Sequence, residues 1–505
     1  MTTTLIAGTW AETPLDRSTF RASNPTTGEA IERDFPISTW DDLEPMLAAS
    51  VGAARALAET EPARIARMLR ETADLLDADR RLIAETAHEE TGLALEPRLL
   101  EVEFDRTVGQ LRQAADAAED VSVGSWRDPL RDPELDIYGD RGPLGGAVFC
   151  IGPNNFPLAY HAACGGDFAA AIAAGNPVIA KGHPLHPETG RLIARCAAEA
   201  VNRAGLHPAT VQYFHHCEPE VGLRMVGDRR VAAIGFTGGR PAGLSLKAAA
   251  DACGTPAYLE MSSVNPVFIG PGALASDAAG VAAAWSNSVQ LGGGQFCTKP
   301  GIVVLIGADA EGFVDAAAQA MTDAEPSVLL SRAVVDGLVE GVQASTAAGA
   351  ELLVGGRPAD PGFRFESTLL SVEGRTFLSA HDVLSRERFG PLGLVVRADG
   401  LAEALEIAEL TEGQLTSTIC TGSGAADAEV WSVLSSVLRT RCGRLLQNKM
   451  PTGVAVVPPM VHGGPFPATG HPGFTAVGFP TSVARFTMRR CWDGVDRNHR
   501  PAWLQ

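Results

Sequence analysis

Residues 145–182 read "GGAVFCIGPNNFPLAYHAACGGDFAAAIAAGNPVIAKG". Two short apolar runs, 147–151 and 178–181, stand at its ends, each bounded by Gly or Pro. Runs of that length and composition fit strands buried on both faces. The Ala-rich segment 162–174 between them predicts a helix. The strand–helix–strand rhythm then repeats. A helix is predicted at 188–204, a strand in "ATVQYFHH" (209–216), a short helix at 220–226 and a strand in "VAAIGFTG" (231–238). Strands alternating with helices at this spacing make βαβ units and a parallel sheet covered on both faces.

A second α/β series follows between about 260 and 440, with strands in "NPVFIG" (265–270), "GIVVLIG" (301–307) and "LGLVVRA" (392–398) and helices near 276–290, 310–322 and 400–411. Upstream, 41–91 reads as helix, with Ile65, Met68, Leu69, Ala73, Leu75 and Leu76 on one face and Ser38 or Thr39 as the first cap. A further helical stretch covers 95–119. Residues 122–141, rich in Pro, Gly and Asp, predict a hairpin or a connection. The aromatic, Arg-rich tail after 480 predicts an arm that packs on another surface, such as a second subunit.

At 505 residues the chain exceeds one ordinary core, so two or three domains are expected. A formal charge of −19 argues against nucleic acid or an anionic membrane surface as partner, since both would repel it. It leaves an anionic substrate open. The opening "MTTTLIAGTW" has no basic residue before a long apolar run and is a poor signal peptide. No apolar stretch reaches the roughly 20 residues of a membrane helix. The nine cysteines form no C-x-x-C pair, which supports neither a disulfide framework nor a structural metal, and a cytoplasmic setting is expected.

A doubly wound sheet suggests a nucleotide, but no G-x-G-x-x-G occurs. "FTGGRPAG" (236–243) places Thr237, Gly238 and Gly243 after a strand. These residues fit either a tight turn or a helix N-terminus that approaches a pyrophosphate. In "IGPNNFP" (151–157), Asn155 suits an oxyanion donor or a residue satisfying turn backbone, and so does Asn154. Glu260 in "AYLEMSSVNP" (257–266) is a general base or an ordinary paired carboxylate. Cys297 in "GQFCTKPG" (294–301) is a nucleophile or a small core residue. Taken singly, none of these motifs decides between its two readings.

Taken in order they do. "GPNNFP" (152–157), "AAGNPVIAK" (173–181), "GFTGGRPAG" (235–243), "LEMSS" (259–263), "GQFCTKPG" and "ERFGPLG" (387–393) together resemble the aldehyde dehydrogenase superfamily, as do "LIAGTW" (5–10) and "NPTTGEAI" (24–31). The resemblance implies an α/β fold with three parts. A Rossmann-type dinucleotide-binding domain would take residues 1–121 and 142–258, and an α/β catalytic domain 259–477. A small β oligomerisation arm would take 122–141 and 478–505, in a homodimer or homotetramer. It implies that Cys297 attacks an aldehyde to give a thiohemiacetal and then a thioester. Asn155 and the Cys297 N–H would hold the oxyanion, and Glu260 would activate the hydrolytic water. Lys181, Thr237, Gly238 and Gly243 would meet the cofactor's ribose and pyrophosphate, and Glu387 and Phe389 its nicotinamide end. No metal is implied.

Departures from the common pattern narrow the resemblance. "PNNFP" replaces "PWNFP", "EMSSV" replaces "ELGGK", and "HGGPFPAT" (462–469) stands where "PFGG"-type loops are common. "EMSSVNPVF" (260–268), "QFCTKPG" (295–301) and "HGGPFPAT" together are similar to the subgroup that contains α-ketoglutaric semialdehyde (2,5-dioxovalerate) dehydrogenases and an NADP-dependent fatty aldehyde dehydrogenase. Pro184 occupies the place of a ribose-binding Glu, so nothing repels a 2'-phosphate that Lys181 and His183 would attract. NADP is therefore expected, with NAD also accepted. His462 either assists the thiolate or hydrogen-bonds loop backbone. The expected reaction is 2,5-dioxopentanoate to 2-oxoglutarate, with medium- or long-chain fatty aldehydes as the alternative and Lys299 as one basic residue for the substrate. Glu260 speaks against a CoA-acylating enzyme, and the set Asn155, Glu260 and Cys297 against a catalytically silent binding homologue.

Overall fold

The computed structural model describes residues 3–12, 18–307, 310–423 and 425–505. Its first sheet has seven strands in the order Ala257–Glu260, Val231–Thr237, Ala147–Ile151, Val178–Lys181, Val211–Phe214, Thr3–Ile6 and Thr9–Glu12. The five central and edge strands from 147 to 260 are parallel, and only the N-terminal hairpin runs antiparallel. Chain direction across the sheet reverses between Ala147–Ile151 and Val231–Thr237. In an open α/β sheet the crevice at such a reversal is where ligands bind. The loops that open there are 152–157 and 238–243, two of the segments singled out from sequence.

The second sheet also has seven strands, in the order Glu351–Val354, Thr368–Glu373, Leu392–Ala398, Ile302–Ile306, Val267–Ile269, Gln414–Cys420 and Cys442–Gln447. All but Glu351–Val354 pair in parallel. The strand Ile302–Ile306 is buried at every position, as its unbroken apolar run requires. The carboxyl ends of the first sheet face the amino ends of the second. Glu260 closes a strand of the first, while Cys297 lies five residues before Ile302, which opens a strand of the second.

The expected helical stretch 41–91 is three helices, Trp40–Ala58, Pro62–Ala78 and Arg80–Thr91. Thr39 caps the first, its N–H donating to Asp42 Oδ2 at 2.7 Å. Between 95 and 119 the helix is wound more widely over Leu95–Glu103, with Glu96 out of helical conformation, and is regular only from Phe104 to Glu119. The helix expected at 162–174 starts at Gly166, because residues 158–165 are folded into turns. Residues 130–132 and Ile137–Pro143 form two strands of a third sheet, and Thr487–Asp493 of the tail pairs antiparallel with Ile137–Pro143 along its length. Buried Asp140 fixes that arm, accepting from Arg490 Nε at 3.0 Å and from the Trp492 and Trp503 indoles at 3.2 and 3.0 Å. Among the described residues no helix is long and apolar enough to cross a membrane.

Candidate active site

The loop carrying Cys297 is built by glycine. Gly292, Gly293 and Gly294 all have left-handed backbone, φ 61°, 66° and 67°, a conformation costly for residues with a Cβ. At Gly294 a Cβ would also overlap the Gly390 carbonyl, and the Gly390 N–H donates back to Gly294 O at 3.2 Å. Gly294→Ala is therefore expected to cost more than about 2 kcal/mol of stability and to misplace the thiol. A thermal melt and the residual rate check it, and an unchanged melting point with full activity would refute it.

Two side-chain amides pin the loop from either side. Asn155 Nδ2 donates to Gln295 O at 2.8 Å. Asn265 Nδ2 donates to Cys297 O at 2.8 Å and to Lys299 O at 2.9 Å. Gln414 Oε1 in turn receives Ser263 Oγ at 2.9 Å and Val264 N at 2.8 Å, which fixes the turn holding Asn265. Neither Asn265 nor Gln414 was expected as a site residue. The Asn-Pro after "EMSSV" was the available signal, since it marks a turn that starts from a side-chain amide.

Cys297 Sγ lies 3.3 Å from His462 Nε2, which lies 3.0 Å from Glu260 Oε1. His462 and Glu260 are each about 1% exposed at the side chain, and neither Glu260 oxygen has a hydrogen bond of good geometry. Cys297 is only partly buried. Burial and the adjacent Glu260 carboxylate push its thiol well above the ordinary range, with Arg106 pulling the other way. The thiol at rest therefore holds its proton, and an acceptor must take it. The His462 ring faces both Sγ and Glu260, and its own N–H and C=O are held by Thr475 Oγ1 at 3.0 Å and Ala476 N at 2.9 Å. Glu260 is fixed by backbone on both flanks. Its strand pairs with Val231–Thr237, the Gly238 N–H donates to Glu260 O at 3.1 Å, and Thr469 bridges it from the 462–476 loop.

Of the residues expected to meet the cofactor, Lys181, Thr237 and Gly238 lie along the carboxyl edge of the first sheet, whereas Glu387 and Phe389 lie in the loop before Leu392–Ala398 of the second. Lys181 ends its strand, and among the described residues its ammonium has one hydrogen bond, to Gly182 O at 3.1 Å. His183 is not the cation expected of it. Burial, reinforced by Lys181, His186, His216 and His161 nearby, holds it neutral, and its Nδ1 accepts from Leu185 N at 3.2 Å. His216, which sequence reading passed over, lies beside Lys181 and is likewise neutral, but its buried ring Nδ1 has no partner among the described residues. Burial with Lys181 beside it pushes its pKa down to about 4. Gly238 and Gly243 are glycines for packing, because a Cβ would meet Phe236 and Met261 respectively at 2.7 Å. Glu387 reaches Ser262 and the Ser263 N–H, and burial raises its pKa to about 7. Phe389 packs against the core of the first sheet.

Lys299 is not at the pocket mouth. It is buried, and its ammonium donates to Arg388 O at 2.6 Å and Leu392 O at 2.9 Å, so it braces the loop bearing Glu387. The cations whose fields reach Cys297 are Arg106 and Arg444, neither of them expected. Arg106 Nη2 donates to Tyr160 Oη at 2.7 Å and its Nη1 to Val454 O at 2.9 Å. Arg444 donates to Gly453 O at 3.0 Å and Pro451 O at 2.5 Å, while its buried Nε has no partner.

A cysteine, an imidazole and a carboxylate thus converge between two α/β sheets, an arrangement that suits chemistry through a thiol. Sequence comparison makes the class definite. The family model described as "Aldehyde dehydrogenase family" matches residues 10–465, and the chain belongs to that family. It is 36% identical over 498 residues to alpha-ketoglutaric semialdehyde dehydrogenase 2 of Azospirillum brasilense, covering 96% of this chain and 93% of the relative. It is 32% identical over 492 residues to alpha-ketoglutaric semialdehyde dehydrogenase of Acinetobacter baylyi, covering 95% and 91%. Among solved structures, aldehyde dehydrogenase C of Pseudomonas syringae superposes with a TM-score of 0.82 at 21% identity, over 98% of this chain and 97% of the other.

Proposed function

We propose that the protein oxidises a short anionic semialdehyde, 2,5-dioxopentanoate first among them, to the carboxylate, using NADP in preference to NAD. The observation that carries the substrate class is the pair Arg106 and Arg444 around the thiol, one of them with a buried N–H left unpaired. A buried donor without a partner is costly, and a carboxylate or keto oxygen of the substrate would satisfy it. The relatives named for α-ketoglutaric semialdehyde, at 36% and 32% identity, support the same choice.

In the reaction, Cys297 gives its proton toward His462 Nε2 and adds to the aldehyde carbon. Asn155 spends one amide N–H on Gln295 O, which leaves the second for the oxyanion beside the Cys297 N–H. A bound nicotinamide cofactor supplies the hydride acceptor. Glu260 then takes a proton from the water that cleaves the thioester.

The donor set fits the cofactor: Lys181 with spare N–H capacity and His216 with an orphaned buried Nδ1 would hold the ribose and its 2'-phosphate. Pro184 presents no carboxylate against that phosphate. Thr237, Gly238 and Gly243 would lie along the pyrophosphate, and Glu387 with Phe389 at the nicotinamide end. All nine cysteines are unpaired, which suits a reducing cytoplasm. The arm of Ile137–Pro143 and Thr487–Asp493 would join subunits into a dimer or tetramer.

Initial rates with 2,5-dioxopentanoate, glutarate semialdehyde and octanal, each with NADP and NAD, test the reading. A tenfold kcat/KM advantage for octanal, about 1.4 kcal/mol of transition-state preference, would overturn the anionic substrate. Arg106→Met and Arg444→Met are each expected to lower kcat/KM for the anionic aldehydes by about 10- to 100-fold and to change octanal by less than about threefold.

A further inference from the structure

We propose that Cys297, His462 and Glu260 form a binding site for a zinc-class cation, which on binding locks the nucleophile and base together and stops turnover. The Cys297 Sγ, a His462 ring nitrogen and a Glu260 oxygen all lie within 4.8 Å of one another, and among the described residues no other trio of His, Cys, Asp or Glu side chains converges so. The edges Sγ–Nε2 and Nε2–Oε1 measure 3.3 and 3.0 Å. A tetrahedral zinc with one sulfur, one nitrogen and one oxygen ligand needs edges of roughly 3.3–3.6 Å, from its usual bond lengths. Movements of a few tenths of an ångström along these edges bring them into range.

Three further features favour a metal at this place. Glu260 is buried, with His462 and Cys297 as its polar neighbours and, among the described residues, no arginine or lysine paired with it, so a cation would offset the cost of its charge. A thiolate, a carboxylate and a neutral imidazole around a dication sum to zero charge, which offsets the cost of ionised groups where Glu260 and His462 are buried. The ligands are also held in advance, Cys297 by Asn265 and His462 by Thr475 and Ala476. The thiolate selects zinc or cadmium over magnesium and calcium. Because Cys297 is only partly buried, the fourth position faces the crevice, where water or an aldehyde oxygen completes the shell. The three ligands come from separate segments, at 260, 297 and 462, so no ligand spacing in the sequence announces them.

Binding stands on the geometry alone, whereas inhibition rests on the proposed function. Metal-free full-length enzyme is titrated with Zn2+ by calorimetry, and separately with Co2+, whose absorption reports thiolate ligation. One ion per chain is expected, with a thiolate-to-cobalt band and loss of aldehyde oxidation that chelator reverses. Cys297 should also resist iodoacetamide in the presence of Zn2+, by peptide mapping, while exposed Cys253 and Cys491 continue to react. His462→Gln and Glu260→Gln, with circular dichroism as the check on folding, should each weaken binding at least about tenfold. Cys297→Ala should abolish the cobalt band.

Absence of binding, or binding unchanged in all three variants, overturns the proposal even if aldehydes are oxidised. Cysteine-dependent binding in an enzyme that oxidises no aldehyde would leave the metal site standing and remove the proposed function.

Discussion

Cys297→Ala is expected to lower aldehyde oxidation by on the order of 10^5-fold or more, the scale seen when a covalent nucleophile is deleted from a preorganised site. The loss should fall on kcat. The cofactor crevice belongs to the first sheet, so cofactor affinity, measured by fluorescence quenching, should change little. No other thiol can stand in. Cys150, Cys164, Cys196, Cys217, Cys420 and Cys442 are buried, and Cys253 and Cys491 are exposed outside the constellation of His462 and Glu260. Because burial and Glu260 favour the protonated Cys297 thiol, the proposed mechanism forms the thiolate by proton transfer toward His462 Nε2 at 3.3 Å. Residual activity above about 1%, with alkylation of some other cysteine abolishing it, would assign the nucleophile elsewhere.

Glu260→Gln separates the two halves of the reaction. Glutamine keeps the shape and the contact with Thr469, and it removes only the proton acceptor. Steady-state turnover should fall by roughly 10^2- to 10^4-fold, the range for loss of a general base. The first turnover, seen as a rapid burst of reduced cofactor equal to the enzyme concentration, should persist. A burst that disappears along with turnover would show that Glu260 is needed for attack rather than for hydrolysis. His462 sits between the two groups, so the same burst experiment on His462→Gln tells which half it serves.

The chemistry-bearing residues on strand ends were legible in the sequence, and those on amphipathic elements were not. Asn155, Glu260 and Cys297 each follow or precede an apolar run bounded by Gly or Pro, so their setting at a sheet edge could be read from pattern. Arg106 lies in the helix Phe104–Glu119 and Arg444 in the strand Cys442–Gln447, where a lone arginine reads as a solvated surface residue. Only the fold brings their charges within reach of the thiol. Lys299 shows the opposite failure. One lysine two residues from a nucleophile invites a substrate role, yet Pro300 and Gly301 turn the chain so that its ammonium is buried among carbonyls. The first half of the second α/β series was legible, but the strands Thr368–Glu373 and Cys442–Gln447 were missed because Ser, Thr, Gly and Arg interrupt their apolar pattern.

Glu260 belongs to one sheet, Cys297 leads into the other, and His462 reaches both from a loop stitched to the edge of the first by Thr469 and Ala468. Turnover thus reports on a seam. Each half of the molecule has its own apolar interior, and a slip of an ångström between them would leave both interiors intact while the proton path broke. The proton path would therefore be sensitive to the alignment of the two sheets as well as to the packing inside either one.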